Sequence, residues 1–284
     1  ADWQVRLLRN PLAQASRAPF YQQQFAELSC RPADIKTLQD LQSLPLTSRA
    51  DIDRNPAAFQ AVSSSSFIDL ALTSGTTGRP LMIPYTAADL ERLAFNEQIA
   101  FWGAGVRAAD RFLLCVTLDR CFIAGLAYFV GLSRLGAAVI RSGPGQPARQ
   151  WELIRQLRPS GIVGVPTFLL KLAEWGREHG EDPKAAGISA LVAIGEPLRT
   201  ATGGLTALGE KLAASWGAKL YSTYAATEVE TAFCDCEAGC GGHVHPELAF
   251  VEIVDEKGTI CAPGQPGEVV VTPLGVEGFP LVRF

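Results

Sequence analysis

From Arg111 onward, short apolar runs alternate with longer stretches whose apolar residues recur at helical spacing. "RFLLCV" (111–116), "AAVI" (137–140), "GIVGV" (161–165), "ALVAI" (190–194) and "AKLYS" (218–222) read as strands. Residues 122–135, 148–157, 167–178 and 205–216 read as the helices between them. Strands separated by helices of this length pair in parallel through right-handed crossovers, which predicts an α/β fold with ligands at the C-terminal ends of the strands. Before this region, 1–66 is helical and loop-rich and closes on the serine run 63–66, a surface loop. After His245 the pattern changes to two β-rich runs around Lys257-Gly258 and "APGQPG", an antiparallel addition. The expected organisation is a helical N-terminal segment (1–66), an α/β core (67–246) and the start of a β-rich subdomain (247–284).

An apolar fraction of 48% with 19% charged residues describes a chain with a sizeable core, not a disordered one. Its net charge of −4 and lack of any dense Lys/Arg block argue against a nucleic-acid or anionic-membrane surface, so the expected partner is a small molecule. "CFIAGLAYFVGL" (121–132) is shorter than the roughly 20 residues of a spanning helix and reads as a buried one. The start shows no secretory signal, and a chain without an initiator Met that stops at "FPLVRF" is expected to be a processed or truncated piece. Seven cysteines, an odd number, suit the reducing cytoplasm better than a disulfide framework.

Two stretches carry candidate chemistry. In "LTSGTTGRP", Gly75 and Gly78 permit positive φ and close backbone approach, so successive N–H groups can face one concavity that holds phosphate oxygens. Thr73, Ser74, Thr76 and Thr77 add hydroxyl donors and Arg79 adds charge; the alternative is a plain Gly/Ser/Thr turn, and the Walker spacing is absent. In "CDCEAGCGGHVH", Cys234, Cys236, Cys240, His243 and His245 put five thiol and imidazole ligands within twelve residues, a composition that suits a tetrahedral zinc ion. The favoured set is Cys236, Cys240, His243 and one of Cys234 or His245. With no general base beside it the zinc is read as structural; the alternative is a loop of reduced thiols.

The phosphate-loop candidate resembles the signature of the adenylate-forming superfamily, which includes acyl-CoA synthetases, luciferases and adenylation domains. "IGEP" (194–197), "YSTYAATE" (221–228) and "PGQPGEVVVTPL" (263–274) follow in that family's order, and 25–52 is similar to the N-terminal segment of phenylacetate-CoA ligases. The resemblance implies the large N-terminal domain of the adenylate-forming fold: parallel-rich sheets flanked by helices, a β-rich addition, and a small C-terminal domain absent from this chain. It also implies ATP-dependent activation of an aryl or small carboxylic acid to an acyl-adenylate, then transfer to CoA or another thiol. Thr73 to Arg79 would wrap the β- and γ-phosphates, Thr227 would bond the α-phosphate and Glu228 would carry Mg²⁺. Tyr224 would stack on the adenine of ATP or AMP, with Gly195, Glu196 and Pro197 as another wall. The helix carrying Phe122, Ile123, Tyr128 and Phe129 resembles the acyl-lining segment, although Val130 replaces an aromatic of bacterial phenylacetate ligases and speaks against phenylacetate itself. No nucleic acid or membrane partner is implied, and a homodimer is one open assembly. The competing class is a non-catalytic nucleotide- or zinc-binding module on the same scaffold.

Overall fold

The computed structural model describes residues 2–73 and 80–284, with side chains from Arg6 onward. The chain divides into two compact units, one built from Ala1–Arg92, Ala226–Thr231 and Val244–Phe284, the other from Leu93–Ala225 and Ala232–His243.

The first unit opens with helices α1 (Asp2–Ala15), α2 (Pro19–Glu27), α3 (Leu38–Gln42) and α4 (Arg49–Arg54). The two shortest begin on reciprocal capping boxes, Thr37 with Asp40 and Ser48 with Asp51, which satisfy the orphan N–H groups of segments too brief to hold themselves. Strands β1 (Asp69–Leu72) and β2 (Met82–Tyr85) form an antiparallel hairpin. Helix α5 (Ala87–Gly103) starts in this unit and continues into the other.

In the second unit β3 (Arg111–Leu114), α6 (Ile123–Leu135), β4 (Ala138–Arg141), α7 (Pro147–Leu157), β5 (Gly161–Gly164), α8 (Pro166–Glu178), β6 (Ala190–Ile194), α9 (Ala207–Trp216) and β7 (Lys219–Ala226) alternate as expected. With β8 (Thr231–Cys234) they make a six-stranded sheet in the order β4-β3-β5-β6-β7-β8, parallel from β4 through β7. Strand β5 is buried at every position, which is why it reads as an unbroken apolar run. Helix α6 ends where Gly136 takes φ +91°, and α7 starts on Pro147. One core cluster is centred on stacked Trp151 and Trp216, each indole donating to a carbonyl of α8. A second gathers Phe101, Phe112 and Tyr128.

The first unit closes with β9 (Ala249–Val254) and β10 (Glu268–Pro273), the antiparallel pair expected after His245. Its core holds Phe20, Tyr21, Phe59 and Phe279 in ring contact, and the buried Arg283 pairs with Glu252 at 3.0 Å while donating to the carbonyls of Gln42 and Leu44. Among the described residues no helix is long and apolar enough to cross a membrane.

Candidate active site

In the second unit the candidate residues sit at strand C-terminal ends. The chain leaves β6 at Gly195, whose φ of +85° favours glycine, and Pro197 is exposed. Glu196 is engaged in the fold: its carboxylate accepts the backbone N–H of Thr167 at 2.9 Å and the Thr167 hydroxyl at 2.8 Å. Those bonds cap α8, whose own N-cap residue Val165 offers no side-chain acceptor, and place negative charge at the helix N-terminus. On β7, Tyr224 is 60% exposed and lies nearly parallel to Phe233, centroids 6.3 Å apart at 14°.

Of the helix expected to line the acyl group, Ile123 and Tyr128 are buried, Phe122 is exposed at the N-cap, and Phe129 lies under the Arg141 guanidinium at 5.4 Å. Gly131 lets α6 approach α5 closely: a Cβ there would stand 2.2 Å from the Cβ of Glu97. Glu97 is fully buried, and desolvation pushes its carboxyl up to about 8.

In the first unit Thr227 and Glu228 occupy a 3-10 turn, Thr227–Val229, directly after β7. The Glu228 carboxylate meets Arg49 of α4 at 2.8 Å, and Arg49 also binds Asp53 at 2.8 Å. Glu230 closes the turn with a left-handed φ of 49°. A single carboxylate such as Glu228 suits Mg²⁺, which takes one or two protein oxygens and completes its shell with phosphate and water. Thr73 is buried at the hairpin end, its hydroxyl accepting the Leu81 N–H at 3.0 Å, so it serves the hairpin. Ser74, Gly75, Thr76, Thr77, Gly78 and Arg79 lie outside the described residues.

The zinc expectation finds no support in the structure. Among the described residues no three Cys, His, Asp or Glu side chains gather as a metal ion requires. Cys234 belongs to the core and accepts the Thr223 hydroxyl at 3.5 Å, and burial pushes its thiol up to about 12. The Cys236 sulfur accepts the Ala238 N–H, Cys240 donates to the Ala238 carbonyl, and His243 is exposed. His245 belongs to the other unit, where its carbonyl accepts the Leu248 and Ala249 N–H groups. What orders residues 234–243 is a buried carboxylate: Asp235 accepts Arg199 Nε at 2.7 Å, Ser222 N at 3.0 Å and Gly241 N at 2.9 Å.

Motif reading missed Arg49, the partner of Glu228, and all of α5. Among the buried positions of that helix, which include Leu93, Ala94, Ala100 and Phe101, the four residues Asp89, Arg92, Asn96 and Glu97 follow the i, i+3, i+7, i+8 spacing of a core face but are polar. Searching for helical periodicity in buried-capable polar residues would have found it.

Residues 13–276 match the family of AMP-binding enzymes. Phenylacetate-coenzyme A ligase of Pseudomonas putida is 30% identical over 287 residues, an alignment covering 99% of this chain and 64% of the ligase. The ligase of the same name from Escherichia coli (strain K12) is 29% identical, with 94% and 61% covered. The solved structure of 2-hydroxyisobutyryl-CoA ligase in complex with 2-HIB-AMP and CoA superposes with a TM-score of 0.90 at 24% identity, covering 99% of this chain and 61% of that one. The chain thus spans roughly three fifths of the length of these relatives. With its parallel-rich sheet and flanking helices matched almost end to end, the chain belongs to the AMP-binding enzyme family and has the fold of the N-terminal domain of adenylate-forming ligases.

Proposed function

We propose that the protein serves ATP-dependent activation of a small or aryl carboxylic acid. A carboxylate oxygen of the acid attacks the α-phosphorus of ATP, pyrophosphate leaves, and the acyl-adenylate forms. A thiol, that of CoA or a carrier, then attacks the acyl carbon as its thiolate, and AMP departs with the electron pair of the cleaved C–O bond. Tyr224 stacks on the adenine, with Gly195 and Pro197 bordering it and Glu196 holding that loop through Thr167. Thr227 donates to the α-phosphate as charge builds there, and the 73–79 segment supplies donors to the β- and γ-phosphates. Mg²⁺, held by Glu228, would neutralise phosphate charge; Arg49 keeps that carboxylate in one orientation. Zinc has no part in this reading. Unpaired thiols at all seven cysteines agree with a reducing, cytoplasmic setting.

The observation that carries the reading is the end of β7, where an exposed aromatic is followed within four residues by a hydroxyl and by a carboxylate pinned to an arginine. Titration calorimetry with Mg·ATP tests it, followed by mass detection of acyl-adenylate across a panel of aryl and short acids. A folded sample that binds no Mg·ATP would overturn it.

A further inference from the structure

Arg92 is buried on α5 and donates to acceptors in three separate stretches of the first unit. Its Nε reaches the Leu274 carbonyl at 2.5 Å, its Nη1 the Glu230 carbonyl at 2.6 Å, and its Nη2 both the Thr231 hydroxyl at 2.9 Å and the Leu248 carbonyl. The Thr231 hydroxyl in turn donates to the Val229 carbonyl at 2.8 Å, so the chain of bonds runs from Arg92 into the turn that presents Thr227 and Glu228. At the other end of that turn, Tyr85 donates a long 3.5 Å bond to the Thr227 carbonyl. Glu230, where the backbone reverses in the left-handed region, is fixed through its carbonyl; its carboxyl oxygens have no hydrogen-bond partner among the described residues.

The charge arrangement fits a holding role. One turn before Arg92, the buried Asp89 accepts the N–H groups of Thr86, Glu277 and Gly278, and the acceptors that Arg92 itself reaches are carbonyl and hydroxyl oxygens. Arg92 therefore offers its planar fork of donors to neutral oxygens, a task a lysine ammonium cannot copy.

We propose that Arg92 is a positioning residue for the Thr227–Val229 turn, fixing the direction in which Thr227 and Glu228 meet phosphate and Mg²⁺. This rests on the roles given to Thr227 and Glu228 under Proposed function. A purely structural Arg92 would lower stability and leave the ligand affinity of folded protein unchanged; a positioning one changes the metal and phosphate response and spares adenosine.

The test titrates Mg·ATP, Mg²⁺ at fixed ATP, and adenosine into wild-type protein and Arg92→Lys. The expected result is unchanged adenosine affinity, Mg·ATP affinity lowered by about tenfold, and a matching rise in the Mg²⁺ concentration at half-saturation. Folded Arg92→Lys with wild-type Mg·ATP affinity and Mg²⁺ dependence overturns the proposal. If Arg92→Lys does not fold, Thr231→Val cuts the Arg92–Thr231–Val229 relay while keeping side-chain shape, and an unchanged Mg²⁺ response there overturns it equally. Wild-type protein that binds adenosine but shows no Mg²⁺-dependent ATP binding overturns the parent reading, and the proposal with it.

Discussion

Arg49 and Glu228 stand 179 positions apart in the sequence and meet at 2.8 Å, on α4 and on the turn after β7. The arginine is 30% exposed and the glutamate 14%, so the pair is partly screened and its contribution to stability is about 1 kcal/mol or less. Its value lies in orientation. Glu228→Gln keeps the shape and removes the charge proposed for Mg²⁺, so adenylate formation should fall by at least about tenfold, roughly 1.4 kcal/mol in the barrier. The melting temperature should barely move. Pyrophosphate release by protein supplied with Mg·ATP and an accepted acid measures the first quantity; turnover equal to wild type would place the metal carboxylate elsewhere.

Glu97 gives the second unit a pH dependence whose sign follows from its burial. Its carboxyl rises from the ordinary 4.5 to about 8 in the folded protein because burial disfavours the anion. The stability it contributes is therefore fully present below about pH 4.5 and is lost as pH rises through about 8, with a slope of at most about 1.4 kcal/mol per pH unit. Glu97→Gln removes that slope. Urea midpoints at pH 5, 6.5 and 8 should show the variant gaining on wild type as pH rises; parallel profiles would mean that the carboxylate is stabilised in place.

How much of this could be read from the chain depended on which letters filled the buried positions. Strands β5 and β6 were legible because a strand covered on both faces is written as an apolar run, and Ile162, Val163, Leu191 and Val192 write it plainly. Helix α5 was not legible, because Asn96 spends both ends of its amide on the Ala232 backbone and Arg92 binds carbonyls, so polar residues interrupt the apolar pattern of its inward face. Motif order marked Tyr224, Thr227 and Glu228, but Arg49 becomes a partner of Glu228 only through the fold. In the Cys/His loop the Gly241 N–H donates to Asp235, and Gly239 leaves room for the Arg199 guanidinium, which a Cβ there would approach to 3.0 Å.

Gly131 is a site where helix propensity and packing oppose each other. Alanine in a helix interior is favoured over glycine by about 1 kcal/mol. Here the added carbon would stand 2.2 Å from the Glu97 Cβ and 3.0 Å from its backbone carbonyl carbon, so α5 and α6 would have to separate. The clash wins because part of it is against backbone, which has no rotamer to escape into. Gly131→Ala should destabilise by about 1–3 kcal/mol in urea unfolding, and a stabilised variant would show that the two helices can slide apart at little cost.

The loop that looked like a zinc site should depend on Asp235 and be indifferent to chelators. Asp235 is 1% exposed and its carboxylate collects Arg199, the Ser222 N–H and the Gly241 N–H, the last reaching across the loop that carries Cys236 and Cys240. Replacing it with alanine leaves a guanidinium and two backbone donors without their acceptor, each unpaired group costing about 1–3 kcal/mol where water cannot reach it. Much of that cost can be relieved by letting the loop open, since 237–243 is largely polar or glycine and has little apolar surface to keep it down. Asp235→Ala should therefore speed maleimide labelling of Cys236 by at least about tenfold, the equivalent of roughly 1.4 kcal/mol in the opening equilibrium. Cys234, held in the core beside Thr223, should stay protected in both proteins, which separates local opening from global unfolding. Dialysis of wild-type protein against EDTA should leave both labelling rates unchanged. A chelator that exposes Cys236 as strongly as Asp235→Ala does would return the loop to a metal and remove Asp235 as its organising group.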